Sequence, residues 1–437
     1  MALIDFFKWF NEITALPATV IFFGVAVLLT LKTRFVQLRS FRYFLQLLRK
    51  GFQESDTKEQ DVKTINPFHA LFTAMASTIG MGNLVVPAVA IYSGGPGALF
   101  WLLIYIFFGC VTKFAEVSYA VESRVKMDDG TVIGGPMQYL KYIASWLGGW
   151  YMFVIAFLYM SWSALQANTL ALICFQEGIS KIYIGIALSL LMIFVLRGGA
   201  RRVGVIASKL VPIMFTLYVV FAMFILLRDI SAVYQAFSLI FTSAFSSTAA
   251  LGGYVGVALL QAMRSGIYRG IFITEAGIGT SSIAHAIADT KKPSDQGVLA
   301  MYSMMSDAFL STISGLLVLV TGVWMQGNFR STFIYEAFKM HAPAAGDIIL
   351  LITISLFVLT TVIGNTFNGK QSFALLTHNK YISVYLSMSV VAIFVGALAD
   401  VEFMWAYLDV LLTLIAIPNV LGLLYLAFKK PKVLEVN

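Results

Sequence analysis

Charge is scarce in this chain: only 12% of its 437 residues are Asp, Glu, Lys or Arg, against 59% that are apolar. Soluble domains carry about twice that share of charge, so the balance excludes a soluble globule and indicates an integral membrane protein. Cysteine is rarer still. The two present, Cys110 and Cys174, both fall in apolar runs, which argues against a disulfide framework or a thiolate metal cluster. Four histidines, His69, His285, His341 and His378, are scattered without ligand spacing. No Gly-x-x-x-x-Gly-Lys-Ser/Thr run occurs, so nucleotide-driven work would need a partner chain and energy is expected from an ion gradient. Chemistry of the enzymatic kind is nearly absent.

Apolar runs long enough to span a bilayer are present, about eleven of them. They lie near Leu16 to Leu31, Pro67 to Tyr92, Pro96 to Val121, Trp150 to Phe175, Ile182 to Leu196, Val203 to Leu227, Ile267 to Ala288, Gly297 to Trp324, Ile348 to Phe373, Tyr381 to Ala399 and Phe403 to Phe428. The first has only Lys8 upstream and no small-residue cleavage pattern after it, so it is expected to persist as a helix. Of the 30 Lys and Arg residues, 22 fall on one set of loops and helix ends, 7 on the other, and Lys113 inside a helix. The positive-inside rule then sets the N-terminus outside and the C-terminus in the cytoplasm of a plasma membrane. The net charge of +8 is accordingly topology, with a secondary pull toward anionic lipid, and nothing in it reads as a nucleic-acid patch.

Glycine carries the functional signal. Gly80-Met81-Gly82 and Gly277-Ile278-Gly279 lie 197 residues apart, each near the middle of an apolar run. Glycine inside a helix costs roughly 1 kcal/mol against alanine, and unwound backbone at membrane depth is tolerated only where it is buried in protein or lines a wet cavity. Matched breaks in two halves of a chain are a transporter signature. They predict an all-α membrane protein with a five-plus-five inverted repeat: an extra N-terminal helix and cytoplasmic linker (1–66), a first repeat (67–228), a connector on the outer face (229–266), a second repeat (267–428) and a cytoplasmic tail (429–437). Within the linker, Phe41 to Leu48 predicts an interfacial amphipathic helix.

The blocks around the breaks are Thr78-Ile79-Gly80-Met81-Gly82-Asn83, Gly94-Gly95-Pro96-Gly97-Ala98, Thr112-Lys113-Phe114-Ala115-Glu116-Val117, Gly134-Gly135-Pro136-Met137, Gln166-Ala167-Asn168, Lys209-Leu210-Val211-Pro212 and Arg269 through Gly279. In this order they closely resemble the alanine or glycine:cation symporter family, from Lys32 to Asn419. The resemblance implies a leucine-transporter-type (LeuT) fold with one helix added in front, and sodium-coupled uptake of a small amino acid. It implies that the amides of Met81 and Gly82, with Gly80 and Asn83 around them, face the substrate carboxylate. Carbonyls from Thr274 through Ala276 to Gly277, ahead of Gly279, would receive the ammonium, and Gln166 would add an amide. The coupling Na+ would take the carbonyls of Ala76, Ile79 and Phe357 and the hydroxyls of Thr360 and Thr361. The expected partners are thus a small amino acid and the lipid bilayer, with no nucleic acid and no nucleotide.

Several residues keep two readings. Threonines in membrane helices often bond their own i−4 carbonyl, which is the ordinary alternative for Thr360 and Thr361. Glu275 is either a proton site or a structural acceptor at the second break, since a carboxylate at membrane depth has to be paired or wet. Lys113 and Glu116, three apart on one helix face, are spaced to pair with each other. Asp307 and Asp409 are open to gating or helix contacts. The chain departs from the family pattern at Met81, where a threonine is usual, at Thr274, where an asparagine is usual, and at Asn365, where a tryptophan is usual. Asn365 in place of tryptophan is expected to make the pocket roomier and more polar, which leaves the substrate open between an alanine- or glycine-like amino acid and a larger or more polar one. Proton-coupled or exchange transport on the same fold is the alternative, and a non-transporting receptor a further one.

Overall fold

Two helices are cut near the middle of the membrane-spanning path, and the other elements are arranged around the cuts. The computed structural model describes residues 2–55, 67–126, 132–196, 199–245, 255–325, 332–341 and 346–436, and apart from one two-stranded hairpin its regular elements are all helices. The chain opens with α1 (Ala2–Lys32), the short α2 (Val36–Arg39) and α3 (Phe41–Ser55). The first half follows as α4 (Pro67–Thr78), α5 (Met81–Gly94), α6 (Gly97–Glu122), a hairpin of β1 (Val125–Lys126) and β2 (Val132–Ile133), α7 (Pro136–Tyr139), α8 (Ser145–Gln176), α9 (Lys181–Leu196) and α10 (Gly199–Arg228). Next, α11 (Ile230–Phe245) turns 98° away from the end of α10. The second half is α12 (Val255–Thr274), α13 (Thr280–Ala286), α14 (Pro293–Thr321), α15 (Phe333–His341), α16 (Gly346–Leu376), α17 (Ile382–Leu398) and α18 (Val401–Lys429).

Helix length shows why the cuts matter. With 12 and 14 residues, α4 and α5 are about 18 and 21 Å long at 1.5 Å per residue, so neither crosses a bilayer core alone but the pair does. Among the described residues six helices, α1, α6, α8, α14, α16 and α18, are long and apolar enough to cross unaided. The other predicted runs fall on the two broken pairs, on the shorter α9 and α17, and on α10 with its sharply turned successor. The second broken helix starts at Val255, well ahead of the predicted Ile267, because the apolar stretch before Met263 joins it rather than lying apart.

Packing joins the halves through corresponding helices: α6 lies against α14, and α8 against α16. The extra helix α1 packs along α18, where Asn11 Nδ2 donates to Ala406 O at 2.9 Å and Lys8 pairs with Glu402 at 3.0 Å. On α3, Phe41 and Phe44 stack toward Tyr302 of α14 with ring centroids at 5.6 and 4.5 Å, fixing the linker helix against the bundle.

Helices α12 and α6 approach each other closely. A Cβ added at Gly266 would lie 2.3 Å from Ala98 O, and one at Gly270 would lie 2.9 Å from the Tyr105 ring. Small residues let helix backbones meet where hydrophobic exclusion from water gives no drive between helices. A Gly266→Val variant is expected to lose about 1–3 kcal/mol through overpacking, read as a lower melting temperature in detergent.

Candidate functional site

At the first break α4 stops at Thr78 and α5 begins at Met81, with Gly80 extended between them at φ −151° and ψ −164°. Asn83 serves the break itself. Its Oδ1 accepts from Gly80 N at 3.3 Å and its Nδ2 donates to Asp307 Oδ1 at 2.9 Å, tying α5 to α14. A Cβ at Gly80 would fall 2.3 Å from Thr361 Oγ1, so only glycine admits α16 this closely. The two adjacent threonines then part company. Thr360 Oγ1 donates within its own helix, 3.0 Å from both Leu356 O and Phe357 O, whereas Thr361 Oγ1 is buried against the break without a partner among the described residues. Ile79 is buried at the break, and the side-chain surroundings of Ala76 in α4 lie outside the described residues.

The second break is built differently. Glu275, Gly277 and Gly279 take positive φ of 56°, 99° and 90°, a path that frees the carbonyls between α12 and α13. Other helices saturate them. Lys113 Nζ donates to Thr274 O at 2.9 Å, Tyr105 OH to Ala276 O at 2.7 Å, Asn419 Nδ2 to Gly277 O at 2.9 Å and Tyr151 OH to Ile278 O at 2.9 Å. Gly277 N donates to Glu116 Oε1 at 2.8 Å, and the same oxygen accepts from Asn419 Nδ2. Tyr139 OH completes Asn419 by donating to its Oδ1 at 2.7 Å. Lys113 and Glu116 therefore do not pair with each other; each serves a different backbone group of the break. The Glu275 carboxylate accepts from the Thr280 hydroxyl at the start of α13.

Between the breaks lies a cavity of about 20 Å³, near the space one water requires. Gly80 and Gly82 line it from the first break, Phe272, Ile273 and Glu275 from the second, Trp162 and Gln166 from α8, and Thr361 and Asn365 from α16. Met81 lines a smaller void next to it with Gln166, Phe272 and Trp405. Of the predicted substrate residues, the structure thus brings Gly80, Met81, Gly82, Gln166 and Asn365 together with Glu275, while Asn83, Thr274, Ala276, Gly277 and Gly279 do not line the cavity. Neither Gln166 nor Asn365 hydrogen-bonds a described residue, although both are buried, and Trp162 Nε1 is also buried without a partner among the described residues. Sequence reasoning missed Trp162, which precedes Gln166 by one helical turn on the same face, and Phe272, which is two residues ahead of Thr274.

Aromatic and ionic contacts shut the cavity on one side. Phe272 sits between Trp162 and Trp405, with centroids at 5.9 and 5.1 Å, and Arg269 lies 4.8 Å over Trp405 while pairing twice with Asp409 at 2.9 and 3.0 Å. Beyond that pair is a polar pocket of about 480 Å³ walled in part by Glu12 of α1 and by Arg264. At the far end of α13, Arg124 donates to Ala286 O, Ala288 O and Thr290 O at 3.3, 2.6 and 2.8 Å, holding that half-helix to α6.

Matched broken helices around buried polar groups that lack partners define the class: a multi-pass secondary transporter. Comparison with known proteins agrees. A solved structure, MhsT in complex with L-phenylalanine, superimposes with a TM-score of 0.61 at 13% identity, covering 85% of this chain and 91% of that one, which shows the LeuT-type fold. The model of the Sodium:alanine symporter family matches residues 1–436, and the chain belongs to that family. The sodium/alanine symporter AgcS of Methanococcus maripaludis is 33% identical, with 93% of this chain and 91% of that protein covered. The uncharacterised transporter YflA of Bacillus subtilis is 32% identical over 94% of this chain and 88% of its own, and the probable sodium/glutamine symporter GlnT of the same bacterium is 28% identical over 93% and 85%. The family and these relatives are transporters, not enzymes.

The saturated second break yields a direct test. In Tyr105→Phe the Ala276 carbonyl loses its donor, and a stability loss of about 1 kcal/mol is expected from unfolding in mixed micelles. An unchanged stability would show that water replaces the phenol.

Proposed function

We propose that this chain is a sodium-coupled symporter that carries a small neutral amino acid into the cell by alternating access. The observation that carries the reading is the pair of buried carboxamides, Gln166 and Asn365, facing a cavity between the two breaks without any described hydrogen-bond partner. Buried polar groups in native proteins are bonded in nine cases of ten or more, so groups left over at a transporter's midplane point to a cargo that bonds them. The N-terminus of α5, at Met81 and Gly82, offers unpaired amides and the positive end of a helix dipole to a carboxylate.

Sodium suits the same break. The Ile79 carbonyl and the unpartnered Thr361 hydroxyl would supply hard oxygen donors, with Ala76, Phe357 and Thr360 as the neighbouring candidates. AgcS is named for symport of sodium with alanine and GlnT for probable symport of sodium with glutamine, which supports both the ion and a small amino acid as cargo. Asn365 adds a polar amide to the wall, favouring a cargo more polar than glycine once the one-water cavity opens. In this reading the repeats 67–228 and 255–428 move around the cavity, with the N-terminal helices and α11 supporting them. The Arg269–Asp409 pair closes the outer side, and the N-terminus lies outside with the C-terminus in the cytoplasm. A second reading, proton-coupled or exchange transport, is favoured by one feature: Glu275 is among the residues lining the same cavity.

The test is a panel of amino acids assayed for thermal stabilisation of the purified protein in sodium and in potassium. Ligand at a hundredfold its dissociation constant stabilises by about 2.7 kcal/mol. Stabilisation by alanine-like or amide-bearing amino acids in sodium alone is the expected result. Equal stabilisation in both salts would favour the second reading, and none by any amino acid would overturn the substrate class.

A further inference from the structure

The two breaks each leave a half-helix C-terminal end pointing into the protein, and the two ends are treated oppositely. An end of this kind concentrates partial negative charge and free carbonyls, which attract a cation. At the first break the end of α4 faces uncharged oxygen, the Thr361 hydroxyl. At the second break the end of α12 already has a cation: the Lys113 ammonium, 1% exposed and 2.9 Å from Thr274 O. Around that ammonium the chain gathers carboxyl groups from three elements, Glu116 of α6, Glu275 of the break and Asp307 of α14, each within reach of its field and each buried. Glu116 Oε2 is buried there with no hydrogen-bond partner among the described residues. A lysine at membrane depth is costly, and it is retained where it compensates buried negative charge or backbone dipoles.

We propose that Lys113 is a tethered cation that fills the cation position of the second break, so that the transporter couples one sodium ion, at the first break, to each amino acid. The proposal rests on the symport reading above and adds the ion count to it. Lys113 contacts Thr274 rather than the cargo and is therefore a positioning residue. Its amine fixes the end of α12 permanently, whereas the first break waits for an ion from solution.

The experiment compares wild type with Lys113→Ala and Lys113→Arg by two readouts. The first is the sodium dependence of labelled amino-acid uptake into proteoliposomes, whose Hill coefficient is bounded by the number of ion sites. Wild type should show a hyperbolic dependence on sodium, and Lys113→Ala a weaker uptake with a sigmoidal one, as a second ion enters the vacated position. The second readout does not depend on transport: the melting temperature of each protein with methylammonium or tetramethylammonium chloride, without amino acid. Methylammonium should raise the melting temperature of Lys113→Ala and leave wild type and Lys113→Arg unchanged, while tetramethylammonium, with no N–H to give Thr274 O, should act on none. A sigmoidal sodium dependence in wild type would overturn the proposal. So would a Lys113→Ala protein with wild-type sodium dependence and no response to methylammonium. Should Lys113→Ala fail to fold, wild-type stoichiometry together with retained hyperbolic uptake in Lys113→Arg decides the matter. Rescue by methylammonium with no sodium dependence in any protein would sink the symport reading while leaving the tethered cation standing.

Discussion

The rest of this structure depends on how the free backbone groups of the second break are satisfied. A chain that leaves the helical path at membrane depth loses its ladder bonds, and no water is available there to replace them. Here the replacement comes from Tyr105, Lys113 and Glu116 of α6, Tyr151 of α8 and Asn419 of α18, five side chains on three helices that converge on Thr274 through Ile278. The break is stable because those helices are where they are, and those helices are held in place by the bonds they make to it. α12 can reach α6 closely enough only because Gly266 and Gly270 present no side chain to it.

Once the second break is saturated, the functional burden shifts to the first. There the capping is local: Asn83 closes the turn at Gly80 and reaches across to Asp307. The cavity beside it is lined by polar groups without described partners; the Arg269–Asp409 pair over Trp405 and Phe272 lies on one side, and the Arg124 clamp holds the far end of α13. If, as proposed, the first break responds to ligand, a rigid break set against it would give two states from a pseudo-symmetric fold, because binding free energy can bias only an element whose contacts differ between states.

Much of this was legible in the residues. The paired Gly-x-Gly interruptions marked both breaks, and the positive φ at Gly277 and Gly279 shows why glycine is needed in the second. Gln166 and Asn365, read as pocket residues, both line the cavity. What could not be read was partnership at long range. The i, i+3 spacing of Lys113 and Glu116 predicts a pair, but a tertiary partner 161 positions away captures each of them. Asn419 and Tyr151 carry no local signal at all, since their roles exist only once α18 and α8 are packed. The Thr274 to Gly277 carbonyls were expected to meet an ammonium group, and what a spacing argument could not show is that Lys113, Tyr105 and Asn419 reach them first.

The most direct test of the asymmetry is hydrogen exchange of the two breaks, followed by mass spectrometry on the protein in lipid nanodiscs, with and without sodium and a stabilising amino acid. The account predicts that peptides covering Thr274 to Gly279 are protected throughout and barely change, while at the first break the Met81 and Gly82 amides, which have no described acceptor, exchange faster and become protected when both ligands are added. Equal ligand response at the two breaks, or rapid exchange at Gly277 with its amide bonded to Glu116, would contradict it.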